Sequence, residues 1–395
     1  MLQPPFTLCI MTDETTLERA RSLFPCTQQP RLYLDHASTG PLSTRVLGAM
    51  NDYLRHRSEG VLDTFALDIP VAAECRSLLA TLLNAESPER IAFQGSTSDG
   101  INVLAGGLTW KTGDSVLVGS MEFPANIYPY LNLTARGVTV DFLESPDGRV
   151  TAELIEHGIT AHTRVVALSA VQFLSGYRAD LAAIGDMCRR KGIIFAVDGI
   201  QAVGAIRIDV QGMKIDFLAA GGQKWLLSPH GSGFIYVTEE IQSRIKQATL
   251  GWLSVAEPFK FFPANQPLAK SARRYEGGSL NWPSLWGMRA SLATFQEFGP
   301  AWIESHILSI TGQLMDGLRT LEGITLWTPD SPSERAGIVT VLPAPRVSVK
   351  LVFDRLRAEG ITISLREGKL RYSPHFYNSS SDMRRVVALT AKALL

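Results

Sequence analysis

The chain has 395 residues and a formal net charge of zero, because 38 lysine and arginine residues balance 38 aspartate and glutamate residues. Hydrophobic residues make up 45% of the sequence and charged residues 19%, which is typical of a globular protein and excludes a disordered chain. The balanced charge argues against binding to nucleic acid, and no apolar run is long enough to span a membrane.

The four cysteines, Cys9, Cys26, Cys75 and Cys188, are scattered along the chain. None belongs to a Cys-x-x-Cys motif or lies at a metal-ligand spacing from a histidine, so we expect reduced thiols, with no disulfide framework and no metal site. The first residues, MLQPPFTLCIMTDETT, lack the basic segment of a secretory signal. We therefore expect a cytoplasmic protein.

An amphipathic stretch at 14–24 comes first, and buried-strand patterns then alternate with helical patterns from residue 31 to residue 285. The seven clearest strands are predicted at 90–93, 115–119, 138–143, 164–171, 193–199, 215–222 and 233–238. Because a helical pattern at 179–192 separates the fourth strand from the fifth, these elements form a β-α-β unit with parallel strands. The sequence predicts an α/β fold with a large domain over 31–285 and a mainly parallel, seven-stranded sheet flanked by helices.

The pattern changes after residue 285. A long helical segment covers 286–321, and short strands at 336–343 and 361–373 alternate with helices at 347–359 and 381–395. We interpret 286–395 as a smaller α+β domain, against which the N-terminal segment 1–30 packs.

Lys224 and Asp198 are the residues most informative about chemistry. Lys224 follows an apolar strand within AAGGQKWLL, and Asp198 closes the preceding strand within IIFAVDG, so both should emerge at the carboxyl edge of the sheet, where α/β proteins bind ligands. A lysine there is costly to desolvate unless its amine is neutral or forms an imine. Taken singly, the lysine could instead reach solvent, and the aspartate could cap the next segment.

Pyridoxal 5′-phosphate requires this pair of side chains. A lysine forms an imine with the aldehyde of the cofactor, and an acid against the pyridine nitrogen keeps that nitrogen protonated, so that the ring accepts electrons from the substrate. Gln201, three residues after Asp198, could donate a hydrogen bond to the phenolic oxygen of the ring.

The segment 197–237, which contains both residues, resembles the cofactor-binding core of class V aminotransferases. This family of fold-type I pyridoxal-phosphate enzymes includes cysteine desulfurases, selenocysteine lyases, kynureninases and isopenicillin N epimerases. The resemblance runs from about residue 31 to the C-terminus. It implies a fold-type I large domain with a smaller α+β C-terminal domain, and an amino-acid substrate.

The resemblance also implies residues that bind the cofactor phosphate. The segment FQGSTSDGIN (93–102) matches the phosphate motif of the family and places Thr97 and Ser98 at a helix N-terminus, although a simple helix cap has the same pattern. Gln223 stands where the family often has histidine. Ser279, in YEGGS, aligns with a residue that reaches the phosphate of the other subunit. This last match implies a homodimer with composite active sites.

Further matches concern the cofactor ring and the substrate. Phe123, in MEFPAN, takes the position that stacks on the ring, and Arg371, in LRYSPHFYN, takes that of the arginine for the substrate α-carboxylate. Arg366, His375 and His36 are further candidates for the substrate pocket, although His36 is also typical of a structural histidine.

The reaction type is left open by these motifs. Desulfurases of the family carry a nucleophilic cysteine just upstream of the carboxylate arginine, and 363–373 contains none, so we expect no persulfide-forming desulfurase. We expect amino transfer, with C–S β-lysis of a cysteine derivative or sulfoxide, and then epimerisation, as alternatives. A non-catalytic scaffold is disfavoured because Lys224 and Asp198 are both present. A nicotinamide-dependent enzyme is disfavoured because the required glycine motif is missing.

Overall fold

The computed structural model describes residues 13–395; residues 1–12, which include Cys9 and the first part of the predicted N-terminal segment, lie outside the described residues. The helices are α1 (Asp13–Ser22), α2 (Thr44–Glu59), α3 (Ile69–Leu83), α4 (Thr97–Gly107), α5 (Tyr128–Leu131), α6 (Ala152–Gly158), α7 (Leu181–Lys191), α8 (Glu239–Arg244), α9 (Trp282–Phe298), α10 (Pro300–Arg319), α11 (Val349–Ala358) and α12 (Ser380–Leu394). The strands are β1 (Leu32–Tyr33), β2 (Ile91–Gln94), β3 (Ser115–Gly119), β4 (Thr139–Leu143), β5 (Thr163–Ser169), β6 (Ile194–Asp198), β7 (Phe217–Gly221), β8 (Gly233–Val237), β9 (Ile324–Leu326), β10 (Val339–Pro343), β11 (Ile361–Thr362), β12 (Ser364–Arg366) and β13 (Lys369–Tyr372).

The largest sheet has seven strands in the order β2-β8-β7-β6-β5-β3-β4. Strand β8 is antiparallel to both of its neighbours, and the other pairs are parallel. This sheet confirms the predicted fold class. The carboxyl ends of β3, β5, β6 and β7 therefore meet at one edge, and the segments that follow them form a common surface.

Helices cover both faces of this sheet, which explains the continuous apolar strand sequences. In β5, Val165 and Ala167 pack on the side of α4, whereas Val166 and Leu168 pack on the side of α7, and all four are buried. Because neighbouring residues of a strand point to opposite faces, a strand buried on both sides has no polar alternation. Polar residues at the strand ends consequently stand out.

The C-terminal part contains two smaller sheets. Strands β12, β13, β10 and β9 form an antiparallel sheet in that order, and β1 pairs in parallel with β11. The strand predicted at 361–373 is divided because Glu367 and Gly368 both have positive φ and turn the chain into the β12–β13 hairpin. The helix predicted at 286–321 is likewise two helices, separated at Gly299 and Pro300.

The predicted start of the small domain, residue 286, lies inside α9, which packs on α2 and α3, whereas α10 packs on α12. The end of the N-terminal segment contacts the C-terminal part: Arg21 donates to the Tyr377 carbonyl at 2.9 Å, and Phe24 stacks on Tyr377 with ring centroids 4.2 Å apart. The domain boundaries stay a prediction. Within residues 13–395, no helix combines the length and the apolar character needed to cross a bilayer.

Candidate active site

The backbone of Lys224 is held at the carboxyl edge of the sheet, just after β7. The Gly40 N–H donates to the Gln223 carbonyl at 2.8 Å. A Cβ atom at position 40 would lie 2.4 Å from the Lys224 carbonyl oxygen, so only glycine allows this approach. The loop after β1, a strand of the smaller two-stranded sheet, thereby holds the backbone of Lys224 in place.

The Lys224 amine lies in a poorly solvated, mixed-charge environment. Burial lowers its pKa to about 8; Asp198 opposes this shift, and Arg371 and Arg366 reinforce it. Nζ lies 5.4 Å from the centroid of the Phe123 ring. These effects place the predicted lysine, acid, aromatic ring and arginines around one space.

Asp198 is buried at the end of β6, opposite Ser169 of β5 and Ala219 of β7. Its Oδ1 accepts from the Ile200 N–H at 2.9 Å, whereas Oδ2 is buried without a hydrogen-bond partner. Burial raises its pKa to about 6, although the Ile200 N–H and Lys224 both favour the charged form. A buried acceptor without a donor is costly, which indicates that a ligand supplies the donor.

Phe123 presents an aromatic surface on the same side, and 40% of its side chain is exposed. Its ring meets that of Phe173 edge to face, with centroids 5.3 Å apart and an interplanar angle of 74°. The exposed part of the Phe123 ring offers aromatic surface for offset stacking on a planar ligand.

The predicted phosphate segment forms the start of α4. Ser96 caps this helix by accepting the Asp99 N–H at 3.2 Å, so the helix cap is Ser96 and not the two predicted phosphate ligands. Thr97 is buried, and its Oγ1 has no partner, whereas Ser98 is half-buried. A helix N-terminus with a spare buried hydroxyl suits an anion.

Pyridoxal 5′-phosphate fits these features. The unpaired Asp198 Oδ2 complements a protonated pyridine nitrogen, the unpaired Thr97 Oγ1 complements a phosphate, and Phe123 offers a face for the ring. Lys224 supplies the amine for covalent attachment. These residues would hold the cofactor; Ser98 stays a prediction.

The two glutamines are more constrained than the sequence indicates. Gln201 donates to the Ala37 carbonyl at 3.0 Å and accepts from the Trp225 indole at 2.8 Å, so one amide hydrogen is left for the cofactor. The Gln223 side chain lies over Gly221, where a Cβ atom would stand 2.4 Å from Oε1. The cofactor roles of both residues stay predictions.

Arg371 is buried, and three hydrogen bonds hold its guanidinium group in place. Nη1 donates to the Phe173 carbonyl at 2.7 Å, and Nη2 donates to Ser38 Oγ at 2.9 Å and to Ser364 Oγ at 3.1 Å. Nε is buried and has no partner. Burial lowers the pKa of Arg371 to about 10, with Asp35 opposing. A guanidinium with spare N–H groups next to Lys224 suits a substrate carboxylate.

Asp35, Ser38 and Ser364 are positioning residues that sequence reasoning misses. Asp35 Oδ1 accepts from both serine hydroxyls and lies 3.7 Å from Arg371 Nη2. Asp35 and Ser38 stand together in YLDHAS, but Ser364 is more than three hundred residues away. Only the pairing of β1 with β11 and the β12–β13 hairpin brings them together, so no local signal could have found the set.

His36 and His375, the two histidines predicted for the substrate pocket, are enclosed by the protein. Both are fully buried. The ring nitrogens of His36 lie 2.7 Å from the Ser373 carbonyl and 2.7 Å from the Tyr377 hydroxyl, and burial lowers its pKa to about 3. Those of His375 bond the Trp225 carbonyl and the Phe376 N–H. All four ring nitrogens are thus hydrogen-bonded within the protein, and the roles of His36 and His375 in the substrate pocket stay predictions.

The two other candidates lie at the surface. Arg366 is exposed next to the turn of the β12–β13 hairpin, and its charge lowers the pKa of both Lys224 and Arg371. Ser279 is exposed and lines a cavity of about 290 Å³ together with Gln94 and Gly95, which precede α4. Their roles stay predictions.

Comparison with known proteins identifies the family. A sequence model described as aminotransferase class-V matches residues 32–379. The chain belongs to the class-V aminotransferase family. This confirms the predicted family and, with it, pyridoxal 5′-phosphate as the cofactor. The predicted small-molecule amino-acid substrate fits this family.

Among the relatives, a probable cysteine desulfurase of Methanothermobacter thermautotrophicus is 29% identical, over 89% of this chain and 92% of its own length. A probable cysteine desulfurase of Halalkalibacterium halodurans is 30% identical, over 81% of this chain and 80% of its own. A solved structure of the cystine C–S lyase C-DES, in complex with its product cysteine persulfide, is similar with a TM-score of 0.84 and 23% identity, over 91% of this chain and 97% of its own.

These class-V relatives correct the predicted reaction. Relatives named cysteine desulfurases contradict the expectation of amino transfer and the exclusion of persulfide formation. The exclusion of persulfide formation is wrong because a protein cysteine is not the only possible sulfur carrier. A persulfide also forms when the sulfur leaves on a small molecule, and this requires no thiol in 363–373.

We expect the rate at which the cofactor-free protein attaches pyridoxal 5′-phosphate to rise with pH and to level off above about 8, because the pKa of Lys224 is lowered to that value and only the neutral amine is nucleophilic. Visible absorbance would follow the attachment. Lys224→Ala should bind the cofactor without a covalent bond and lose turnover. A rate that keeps rising to the pKa of an ordinary lysine would contradict this account.

Arg371→Ala should raise KM for a carboxylate substrate about a hundredfold, since losing a buried charge-assisted pair costs roughly 3 kcal/mol. Cofactor absorbance should change little. Arg335→Ala is the matched control, because Arg335 is also buried but bonds to Thr311 and the Leu308 carbonyl of α10. Steady-state kinetics with equal effects of both variants on KM would argue against a carboxylate site at Arg371.

Proposed function

We propose that this protein is a pyridoxal-phosphate-dependent C–S lyase, which cleaves the carbon–sulfur bond of a cystine-like disulfide and releases the sulfur as a small-molecule persulfide. The observation that carries the proposal is the site itself. It combines a base of lowered pKa and a buried carboxylate-binding arginine with no activated thiol among the described residues. The names of the relatives support sulfur chemistry.

The absence of an activated thiol concerns Cys26, Cys75 and Cys188. Burial raises the pKa of Cys75 to about 12 and that of Cys188 to about 12. Burial also raises the pKa of Cys26, whose Sγ lies 3.7 Å from the Tyr377 hydroxyl. Since a thiolate is the form that attacks sulfur, none of these three suits the role of persulfide carrier. The second sulfur of a disulfide substrate removes the need for one.

The chemistry follows from the positions of the side chains. Arg371 binds the α-carboxylate, which orients the Cα–H bond toward Lys224. Lys224 Nζ, as the neutral amine, accepts the α-proton. The bound cofactor withdraws the electron density released at Cα.

The carbon–sulfur bond then breaks, and its electron pair leaves on sulfur. A double bond forms between Cα and Cβ, and the sulfur takes a proton to become cysteine persulfide. Hydrolysis of the unsaturated remainder gives pyruvate and ammonia. One cystine and one water therefore balance one cysteine persulfide, one pyruvate and one ammonia, without any oxidant or reductant.

Arg366 supports a substrate with a second carboxylate. It is exposed next to the turn of the β12–β13 hairpin, and no acidic residue lies within ion-pair distance of it in the described part of the chain. Its positive charge lowers the pKa of both Lys224 and Arg371. We assign it to the distal carboxylate of a disulfide substrate.

The test is to incubate the cofactor-loaded protein with cystine, cysteine and S-methylcysteine, and to measure pyruvate, ammonia, alanine and persulfide separately. Cystine should give equal amounts of pyruvate, ammonia and persulfide. Alanine as the product, or sulfur bound to a cysteine of the protein, would overturn the proposal in favour of desulfuration. Arg366→Ala should raise KM for cystine and leave KM for S-methylcysteine unchanged, because the latter has no distal carboxylate.

We also propose that the active unit is a homodimer in which Ser279 serves the phosphate site of the partner. Support comes from the exposure of Ser279 in a surface cavity and from a neighbouring cavity of about 530 Å³, lined by Phe65, Trp252 and Phe259. These three aromatic side chains are all more than 40% exposed. Exposed apolar surface of this kind is typical of an interface.

Mixing two inactive variants tests the composite site. Ser279→Asp should repel the phosphate, and Lys224→Ala lacks the reactive amine. In a mixed dimer, one site combines an intact Lys224 with an intact Ser279 from the other chain, so activity should return on mixing. No recovery, with dimers confirmed by sedimentation, would mean that Ser279 acts within its own chain.

A further inference from the structure

Glu122 is a buried carboxylate next to the cofactor site, and neither the mechanism above nor the sequence motifs give it a role. It follows β3 and immediately precedes Phe123. Only 8% of the residue is exposed. A buried glutamate is retained only where hydrogen bonds compensate for its desolvation.

Glu122 joins two segments of the sheet edge. Its Oε1 accepts from the Ser169 N–H at 2.8 Å, and its Oε2 accepts from the Ser169 hydroxyl at 2.5 Å and from Asn126 Nδ2 at 3.1 Å. Ser169 ends β5, and Asn126 belongs to the turn that carries Phe123. One side chain therefore connects the end of β5 to the segment after β3.

The β5 end of this connection leads directly to Asp198. Ser169 pairs with Asp198 in the β5–β6 register, and the next residue, Ala170, donates its N–H to the Asp198 carbonyl at 2.9 Å. Phe123 and Asp198 are thus linked through Glu122 and Ser169. Both side chains would hold the cofactor ring, Phe123 through its aromatic surface and Asp198 through its carboxylate.

We propose that Glu122 is a positioning residue that sets the separation and tilt between the Phe123 ring and the Asp198 carboxylate, and so determines how tightly and at what angle the cofactor ring is held. The inference rests on the proposed cofactor-dependent function, but it concerns cofactor binding and not the fate of the substrate. A second hydrogen bond supports the proposal: Gln172 Nε2 donates to the carbonyl of Met121, the residue before Glu122, at 2.7 Å.

The electrostatic interaction between Glu122 and Asp198 supports a role of Glu122 in positioning Asp198. Burial raises the pKa of Glu122 to about 7, and the charge of Asp198 contributes to that rise, whereas the bonds from Ser169 and Asn126 oppose it. Tyr130 is the other titratable group affected, because Glu122 and Asp198 both help to raise its pKa. The two carboxylates therefore lie within electrostatic reach of one another.

The test is Glu122→Gln, titrated as the cofactor-free protein with pyridoxal 5′-phosphate. The amide still accepts from the Ser169 N–H, but its NH₂ group faces the Asn126 amide as a second donor. We expect the apparent Kd for the cofactor to rise about tenfold, since roughly one buried hydrogen bond is lost. We also expect the circular dichroism of the bound cofactor to change, because the ring tilt changes.

Two further variants keep the test decisive. Ser169→Ala removes only the hydroxyl donor and should cause a smaller change of the same kind, even if Glu122→Gln does not fold. Glu304→Gln is the matched control. Glu304 is also buried, but it bonds to Arg178 and Arg207 away from the cofactor, so it should lower Tm without altering the circular dichroism.

Unchanged Kd and circular dichroism in folded Glu122→Gln, or a loss of Tm alone as in the control, would overturn the inference. Cofactor binding is measured here without substrate. Failure of this inference is therefore distinct from failure of the proposed C–S lyase reaction, which the products of cystine would reveal.

Discussion

The active site depends on the burial of two opposite charges, those of Lys224 and Asp198, at one edge of the large sheet. Lys224 and Asp198 are both withdrawn from water, and burial moves both pKa values toward neutrality, lysine downward and aspartate upward. Each charge partly stabilises the other, but Asp198 Oδ2 still has no donor. A protonated heterocycle attached to Lys224 would satisfy that oxygen and would remove the ammonium charge at the same time. The cost of burying the pair is thus lowest when the cofactor is bound.

The substrate side of the site depends on contacts between distant parts of the chain. Arg371 comes from β13, Ser364 from β12, and Asp35 and Ser38 from the loop after β1. The β1–β11 pairing and the contacts of Arg21 and Phe24 with Tyr377 hold that loop in place. Since the same loop also fixes the Lys224 backbone through Gly40, Arg371 and Lys224 share one support.

The strands of the large sheet, and the placement of Asp198 and Lys224 at its carboxyl edge, could be predicted because their signals are local. An apolar run that ends in a single aspartate or lysine shows a strand and its functional end together. The enclosure of His36 and His375 could not be predicted, because a histidine in a loop has the same local sequence whether it is exposed or enclosed. Their enclosure depends on Ser373, Tyr377 and Trp225, which only the tertiary fold brings near. The Asp35 network escaped prediction for the same reason.

The reaction type illustrates a different limit. A missing cysteine in 363–373 is a true feature of the sequence, but it constrains the sulfur carrier and not the bond that breaks. In the proposed reaction, the bond is chosen by the orientation of the substrate on Arg371 and by the leaving group on Cβ, and the leaving group belongs to the substrate. A disulfide brings its own acceptor sulfur, so a site whose described thiols are all buried or of raised pKa can still yield a persulfide. In the proposed reaction, Arg366 would separate cystine from S-methylcysteine, because only cystine carries a second carboxylate.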